Sequence, residues 1–156
     1  MKALVALIPL VLVAACDRAP QAPPTVAVTD AWCRAAPAGA MTGGCYVTLT
    51  ASAEDRLVAV ETAVAERAEI HSMDMAGGVM RMRKLEGGLP LPAGKAVALA
   101  SGGEHLMIIG PKQALAIGGE VPLTFKFEKA PSQSIQAPIR PAVMDHQMDH
   151  GMSHDQ

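Results

Sequence analysis

Residues 96–128, AVALASGGEHLMIIGPKQALAIGGEVPLTFKFE, decide the fold of this chain. Turn-forming pairs interrupt the short apolar runs of this stretch at Gly102-Gly103, Gly110-Pro111 and Gly118-Gly119. Pairs of this kind mark tight turns between strands, and the runs between them are too short for helices of several turns. The stretch therefore predicts β-strands in succession, at 96–100, 106–109 and 121–128.

The same pattern extends towards the N-terminus of the predicted domain. Further short apolar runs lie at 26–32, 45–50, 57–61, 68–75 and 79–84, with turn signals such as Gly77-Gly78 and Gly87-Gly88 between them. Residues 57–70 come closest to a helical period, but Val58, Val60 and Val64 favour a strand. Seven or eight short strands with turns throughout predict an all-β fold, an antiparallel β-sandwich.

The N-terminus has the pattern of a targeting segment. Met1-Lys2 precedes an apolar run over residues 3–15, which is too short to span a bilayer comfortably. The run ends in Val13-Ala14-Ala15-Cys16, which resembles a bacterial lipobox. We therefore expect a signal peptide at 1–15 and lipidation of Cys16, which would anchor the protein to a membrane in the periplasm. A plain secretory signal is the alternative. Asp17 slightly favours the inner membrane.

Two extensions flank the predicted domain, which spans residues 25–129. Residues 16–24 are Pro-rich and predict an extended tether. Residues 130–156 lack the means to bury a core, and we expect them to be disordered. Their end repeats Met-x-His every four residues, with Asp145 and Asp149 interleaved. Imidazole and carboxylate together could bind Cu(II) there, and thioethers could bind Cu(I). These candidate ligands are Met144, His146, Met148, His150, Met152 and His154. The alternative is a solvated tail with incidental His.

Composition and cysteine usage exclude several function classes. The net charge is −2 and no basic stripe is present, so nucleic acid is not an expected partner. No nucleophile–base pattern or Gly-rich phosphate loop occurs, so we do not expect an enzyme. Once Cys16 is set apart, Cys33 and Cys45 remain as an even pair in an exported chain, which predicts a disulfide. Two thiolate metal ligands are the alternative.

A cluster of His and Met residues carries the candidate chemistry. Strand side chains alternate between faces, so His71, Met73 and Met75 share one face. The turn at Gly77-Gly78 folds the next strand back, with Met80 and Met82 on one of its faces. A third strand carries His105-Leu106-Met107, so two imidazoles and one or two thioethers can converge from three strands. This neutral, soft donor set suits Cu(I), although a Met on a strand is more often core filler.

The spacing of these residues resembles the signature of the periplasmic copper chaperone family PCu(A)C. In this sequence His71 is followed by Met82, and then by His105 and Met107 with one residue between them. The surrounding residues of 68–71, 78–83 and 103–107 are also similar to that family. The resemblance implies a cupredoxin-like Greek-key β-sandwich and Cu(I) held by those four residues. It also implies delivery of copper to an acceptor, either a cytochrome c oxidase subunit or another copper chaperone.

Three other functions compete with this interpretation. A copper-sequestration or resistance protein could use the same ligands, and the Met/His tail fits that role. An electron-transfer cupredoxin would need a Cys thiolate with two His on the copper, and no Cys lies near His71 or His105 in sequence. A structural lipoprotein without a ligand is the third alternative.

Overall fold

The computed structural model of the chain describes residues 22–74 and 78–141. These residues form strands β1 (Val26–Arg34), β2 (Thr42–Ala51), β3 (Asp55–Glu61), β4 (Ala65–Asp74), β5 (Arg81–Lys84), β6 (Leu89–Leu91), β7 (Ala96–Leu99), β8 (His105–Pro111), β9 (Glu120–Phe127) and β10 (Gln133–Arg140). The predicted all-β fold is confirmed. Within the described ranges, no helix is long and apolar enough to span a bilayer.

The strands hydrogen-bond in the order β5-β4-β8-β2-β1-β10-β9-β3-β6, and β7 also pairs with β2. Every pair is antiparallel except β1–β10, which is parallel and places Cys33 opposite Ile139. The strand pattern in the sequence did not predict this parallel pair. These two strands are the first and last of the described fold, so no short hairpin turn forces them to run antiparallel.

One apolar core of the described residues lies between two layers of this strand path. The first layer is β5-β4-β8-β2-β1, and the second is β10-β9-β3-β6. In β2 the alternate residues from Cys45 to Ala51 are buried, and in β9 the alternate residues from Val121 to Phe127 are buried. Both sets belong to a single cluster of buried side chains. The chain is therefore a β-sandwich, because each half buries one face and exposes the other. Cys33 and Cys45 lie opposite each other in β1 and β2 and are joined by a disulfide bond within this core.

The predicted end of the folded domain at residue 129 is too early. Strand β10 pairs with β9 over Gln133–Pro138, and its Ala137 and Ile139 are buried. The Pro, Ser and Gln residues of this segment hid the alternation of its apolar side chains. Proline is also tolerated in a strand where its nitrogen is not needed as a donor. Only the part of the predicted tail beyond residue 141 lies outside the described residues.

A buried carboxylate fixes the connection between β9 and β10 to the start of β3. Asp55 accepts hydrogen bonds from the backbone nitrogens of Arg56 at 2.7 Å, Lys129 at 2.9 Å and Ala130 at 2.8 Å. Burial raises the pKa of Asp55, but these three donors together with the Lys129 charge hold the pKa below its ordinary value. The ionised carboxylate therefore stabilises the folded state.

We expect Asp55→Asn to lower the free energy of unfolding by about 2 kcal/mol at pH 7, because a neutral amide cannot accept all three bonds. Because the pKa is lowered on folding, this contribution is present above about pH 4 and is lost as the pH falls further. Urea unfolding of both proteins from pH 7 to pH 3 should show the difference shrinking. Glu61→Gln, at an exposed ion pair with Lys126, is the control. A difference independent of pH would contradict the assignment.

Candidate metal site

The register of three neighbouring strands brings the predicted site residues together. In β4 and β8, His71 lies directly opposite His105. In β4 and β5, Met73 lies opposite Met82. Residues directly opposite each other in an antiparallel pair share a face of the sheet. Met107 follows His105 by two residues, so it lies on this face as well.

A cavity of about 310 Å³ opens over this face. Four of its lining residues bear thioether or imidazole groups: Met73, Met82, His105 and Met107. His71 is not among the residues that line it, but its ring centroid lies 6.0 Å from that of His105. A ring centroid lies roughly 3.2 Å from a metal bound through a bond of about 2 Å, so two imidazoles on one ion have centroids at most roughly 6.4 Å apart. The observed separation fits a shared ion.

His105 has one ring nitrogen committed and one free. The residue is 7% exposed, and its Nδ1 lies 2.9 Å from the carbonyl oxygen of Gly103. A carbonyl oxygen only accepts, so Nδ1 carries the proton and donates it. In the neutral ring this tautomer leaves the lone pair on Nε2, which is the form a metal ligand requires.

His71 has the opposite arrangement. Its Nε2 lies 2.9 Å from Oε2 of Glu69, and its Nδ1 is buried without a hydrogen-bond partner. The hydrogen bond from His71 lowers the pKa of Glu69, and so does the hydrogen bond from Arg67 at 2.9 Å. The carboxylate is therefore ionised and accepts a hydrogen bond from the N–H at Nε2 of His71. A buried lone pair without a partner is costly. A metal ion bound to Nδ1 would satisfy it, with Glu69 orienting the ring.

The donor set combines two neutral imidazoles with thioethers. Among residues 22–74 and 78–141, no three or more His, Cys, Asp or Glu side chains are grouped to hold a metal ion. Thioether and imidazole together suit a soft monovalent ion such as Cu(I) better than zinc, magnesium or calcium. Cys45 is bonded to Cys33 and fully buried, so the described fold offers no thiolate of the kind that an electron-transfer cupredoxin requires.

The sequence predicted which His and Met side chains share this face but missed other residues around them. The structure brings His71, Met82, His105 and Met107 to one face, and it adds Met73 to the cavity. Glu69 was missed, although its place two residues before His71 puts it on the same face. Arg34 and Tyr46 also line the cavity. No sequence signal marked these two, because the pairing of β1 and β2 brings them there.

The remaining predicted sites lie outside the described residues. They are the lipidation site Cys16, the methionine Met75, and the tail ligands Met144, His146, Met148, His150, Met152 and His154. Met80, by contrast, is described: it precedes β5 and its side chain is 56% exposed.

Comparison with known proteins gives a family and several relatives. The family described as "Putative lipoprotein LpqE-like" matches residues 26–139. The chain is also similar to "Putative lipoprotein Lxx21020" of Leifsonia xyli subsp. xyli (strain CTCB07). The identity is 28% over 115 residues, which cover 74% of this chain and 69% of the relative.

Solved structures share the fold. One is the "Apo PCuAC domain from PmoF1", with 26% identity, a TM-score of 0.62, and coverage of 74% of this chain and 93% of that domain. Another is the solution structure of CuI-DR1885 from Deinococcus radiodurans, with 27% identity, a TM-score of 0.55, and coverage of 72% and 76%. These matches confirm the PCu(A)C resemblance and the cupredoxin-like fold predicted from the sequence.

The two hydrogen bonds predict opposite tautomers for the two histidines of the metal-free protein. We expect His105 to be protonated at Nδ1 and His71 at Nε2 at pH 8, as long-range ¹H–¹⁵N NMR correlations can report. Glu69→Gln should weaken the preference at His71 and leave His105 unchanged. An Nε2-protonated His105 would contradict the arrangement described for the site.

Proposed function

The chain belongs to the LpqE-like family, and on that premise we propose that it is an extracytoplasmic copper chaperone. In this proposal one Cu(I) ion is the cargo, bound at the face shared by β4, β5 and β8. The ligands are His71, Met82, His105 and Met107.

One observation carries the proposal: the opposed histidine pair. Each ring has one nitrogen held by a protein acceptor, which leaves Nδ1 of His71 and Nε2 of His105 as lone pairs. The ring separation of 6.0 Å fits one shared ion. Met82 and Met107 are the thioethers on the same face, and a Cu(I)-bound relative of similar fold, DR1885, supports this choice of metal.

The exposure of the ligands suits an ion that must leave as well as bind. His105 is almost fully buried, whereas Met82 lies on β5 at the edge of the sheet and is 48% exposed. A thioether is a neutral and weakly held ligand, so an acceptor can displace Met82 first while the histidines still hold the ion. Ligand exchange at an exposed edge favours transfer, since the ion need not become free in solution.

Location and partner follow from the same proposal. The family and the Leifsonia relative are both described as lipoproteins, which agrees with lipidation at Cys16 and a membrane anchor in the periplasm. The acceptor in this proposal is a copper-requiring protein, and the copper centre of cytochrome c oxidase is the candidate that the PCu(A)C resemblance implies. No chemistry on an organic substrate is required of the chain.

Sequestration is the second candidate. The three Met-x-His repeats between Met144 and His154 could retain copper rather than pass it on. They could also collect copper for the site on the domain. Deletion of residues 144–156 should remove a second copper equivalent if the repeats bind the ion, and an unchanged stoichiometry would exclude a copper-binding tail.

For the domain site, we expect a chain ending at residue 141, which keeps all ten strands, to bind one Cu(I) in competition with bicinchoninate. Met82→Ala and His105→Ala should each weaken binding by at least about 100-fold, because loss of even a supporting residue costs 10- to 100-fold. Met41→Ala, an exposed methionine that does not line the cavity, is the control. Equal affinity in all four proteins would exclude the site.

Transfer separates a chaperone from a sequestering protein. The Cu(I)-loaded chain should pass its ion to a metal-free, soluble copper-binding domain of an oxidase subunit faster than the ion dissociates into a chelator solution. Transfer that never exceeds the dissociation rate would favour sequestration.

A further inference from the structure

We propose that Arg34 forms an anion subsite beside the bound metal, and that this subsite receives the thiolate of the copper acceptor during transfer. The inference rests on the proposed function and names the chemistry of the incoming ligand. It starts from the cavity, whose volume of about 310 Å³ is far larger than a metal ion needs.

The cavity carries positive charge and no negative charge. Its lining includes Arg34, Tyr46, Ser101, His105 and three methionines, and none of the described residues that line it is acidic. The proposed ligands are all neutral, so bound Cu(I) would keep its charge of +1 beside the guanidinium of Arg34. An anion in the cavity would interact favourably with both cations.

Arg34 is positioned but not neutralised. Its guanidinium carbon lies 6.0 Å from the centroid of the Tyr46 ring, and Nη2 reaches Ser101 Oγ only at 3.5 Å. Its Nε is buried and has no hydrogen-bond partner, and no ion pair joins Arg34 to any carboxylate of residues 22–74 and 78–141. A buried guanidinium donor without an acceptor is costly, and no described carboxylate compensates the charge of Arg34.

Backbone and a tyrosine hydroxyl form the cavity wall at Gly44. Gly44 lies opposite Met107 in the β2–β8 pair, so no side chain fills that position. A Cβ atom added there would lie only 3.1 Å from Tyr46 Oη. The Tyr46 hydroxyl therefore occupies the space beside Gly44 and forms part of the cavity wall between Arg34 and Met107.

The chemistry of Cu(I) selects a thiolate among anions. Thiolate is a soft ligand that outcompetes thioether for Cu(I), and the edge ligand Met82 is the one it would displace. The sulfur forms a Cu–S bond, the Cu–S bond to Met82 breaks, and an acceptor thiol gives its proton to solvent. Copper stays Cu(I), so no oxidant or reductant is needed.

The test compares Arg34→Gln with the wild-type chain ending at residue 141. Cu(I) affinity is measured first, by bicinchoninate competition in halide-free buffer, and should be unchanged or slightly higher in the variant. If the wild-type chain does not bind Cu(I), the proposed function itself is wrong, whatever the role of Arg34. Transfer rates are then measured to a Cys-x-x-Cys peptide and to a Met- and His-containing peptide without cysteine.

We expect Arg34→Gln to slow transfer to the thiolate peptide about tenfold and to leave transfer to the neutral peptide unchanged. Arg140→Gln is the matched control, since Arg140 stacks on Trp32 and does not line the cavity. Equal slowing with both peptides would show a structural role for Arg34 and would overturn the proposal. Unchanged transfer to both peptides would also overturn it. If chloride slows thiolate transfer only in the wild type, the subsite accepts anions in general.

Discussion

The register between β4 and β8 is the constraint on which the site depends. It sets His71 opposite His105, and it also places the neighbouring Ile70 and Leu106 in the apolar core. Because strand side chains alternate with a period of two, a slip of one residue would send the histidines into the core and the apolar pair into solvent. The hydrophobic core therefore helps to hold His71 and His105 opposite each other.

The rest of the sandwich supports that register from both sides. The disulfide between Cys33 and Cys45 ties β1 to β2, and β2 in turn pairs with β8 at Gly44 and Met107. The proposed ligands thus lie on strands that are paired without any ion, and such preorganisation lowers the cost of binding. On the other side, β5 is a short edge strand with exposed residues. It carries Met82, the proposed ligand that is 48% exposed.

The sequence predicted strands at the positions of all the described strands except β6 and β10, because alternation and Gly-rich turns are local signals. The same local rules placed His71 with Met73 and His105 with Met107. They failed for β10, where Pro138 and polar residues concealed the buried Ala137 and Ile139. Long-range pairing was also invisible, so neither the parallel β1–β10 pair nor the approach of Arg34 to the cavity could be predicted. Glu69 lies two residues before His71 on the same strand, so its place on the same face was predictable from the sequence. Its hydrogen bond to the His71 ring is visible only in the structure.

The most direct test of the account is X-ray absorption at the copper K-edge, on the chain ending at residue 141 loaded with one Cu(I) in halide-free and thiol-free buffer. A site of His71, Met82, His105 and Met107 should give a Cu(I) edge with two nitrogen and two sulfur neighbours, and Met82→Ala should remove one sulfur neighbour. A coordination shell without sulfur, or a shell that Met82→Ala leaves unchanged, would contradict the assignment of the site.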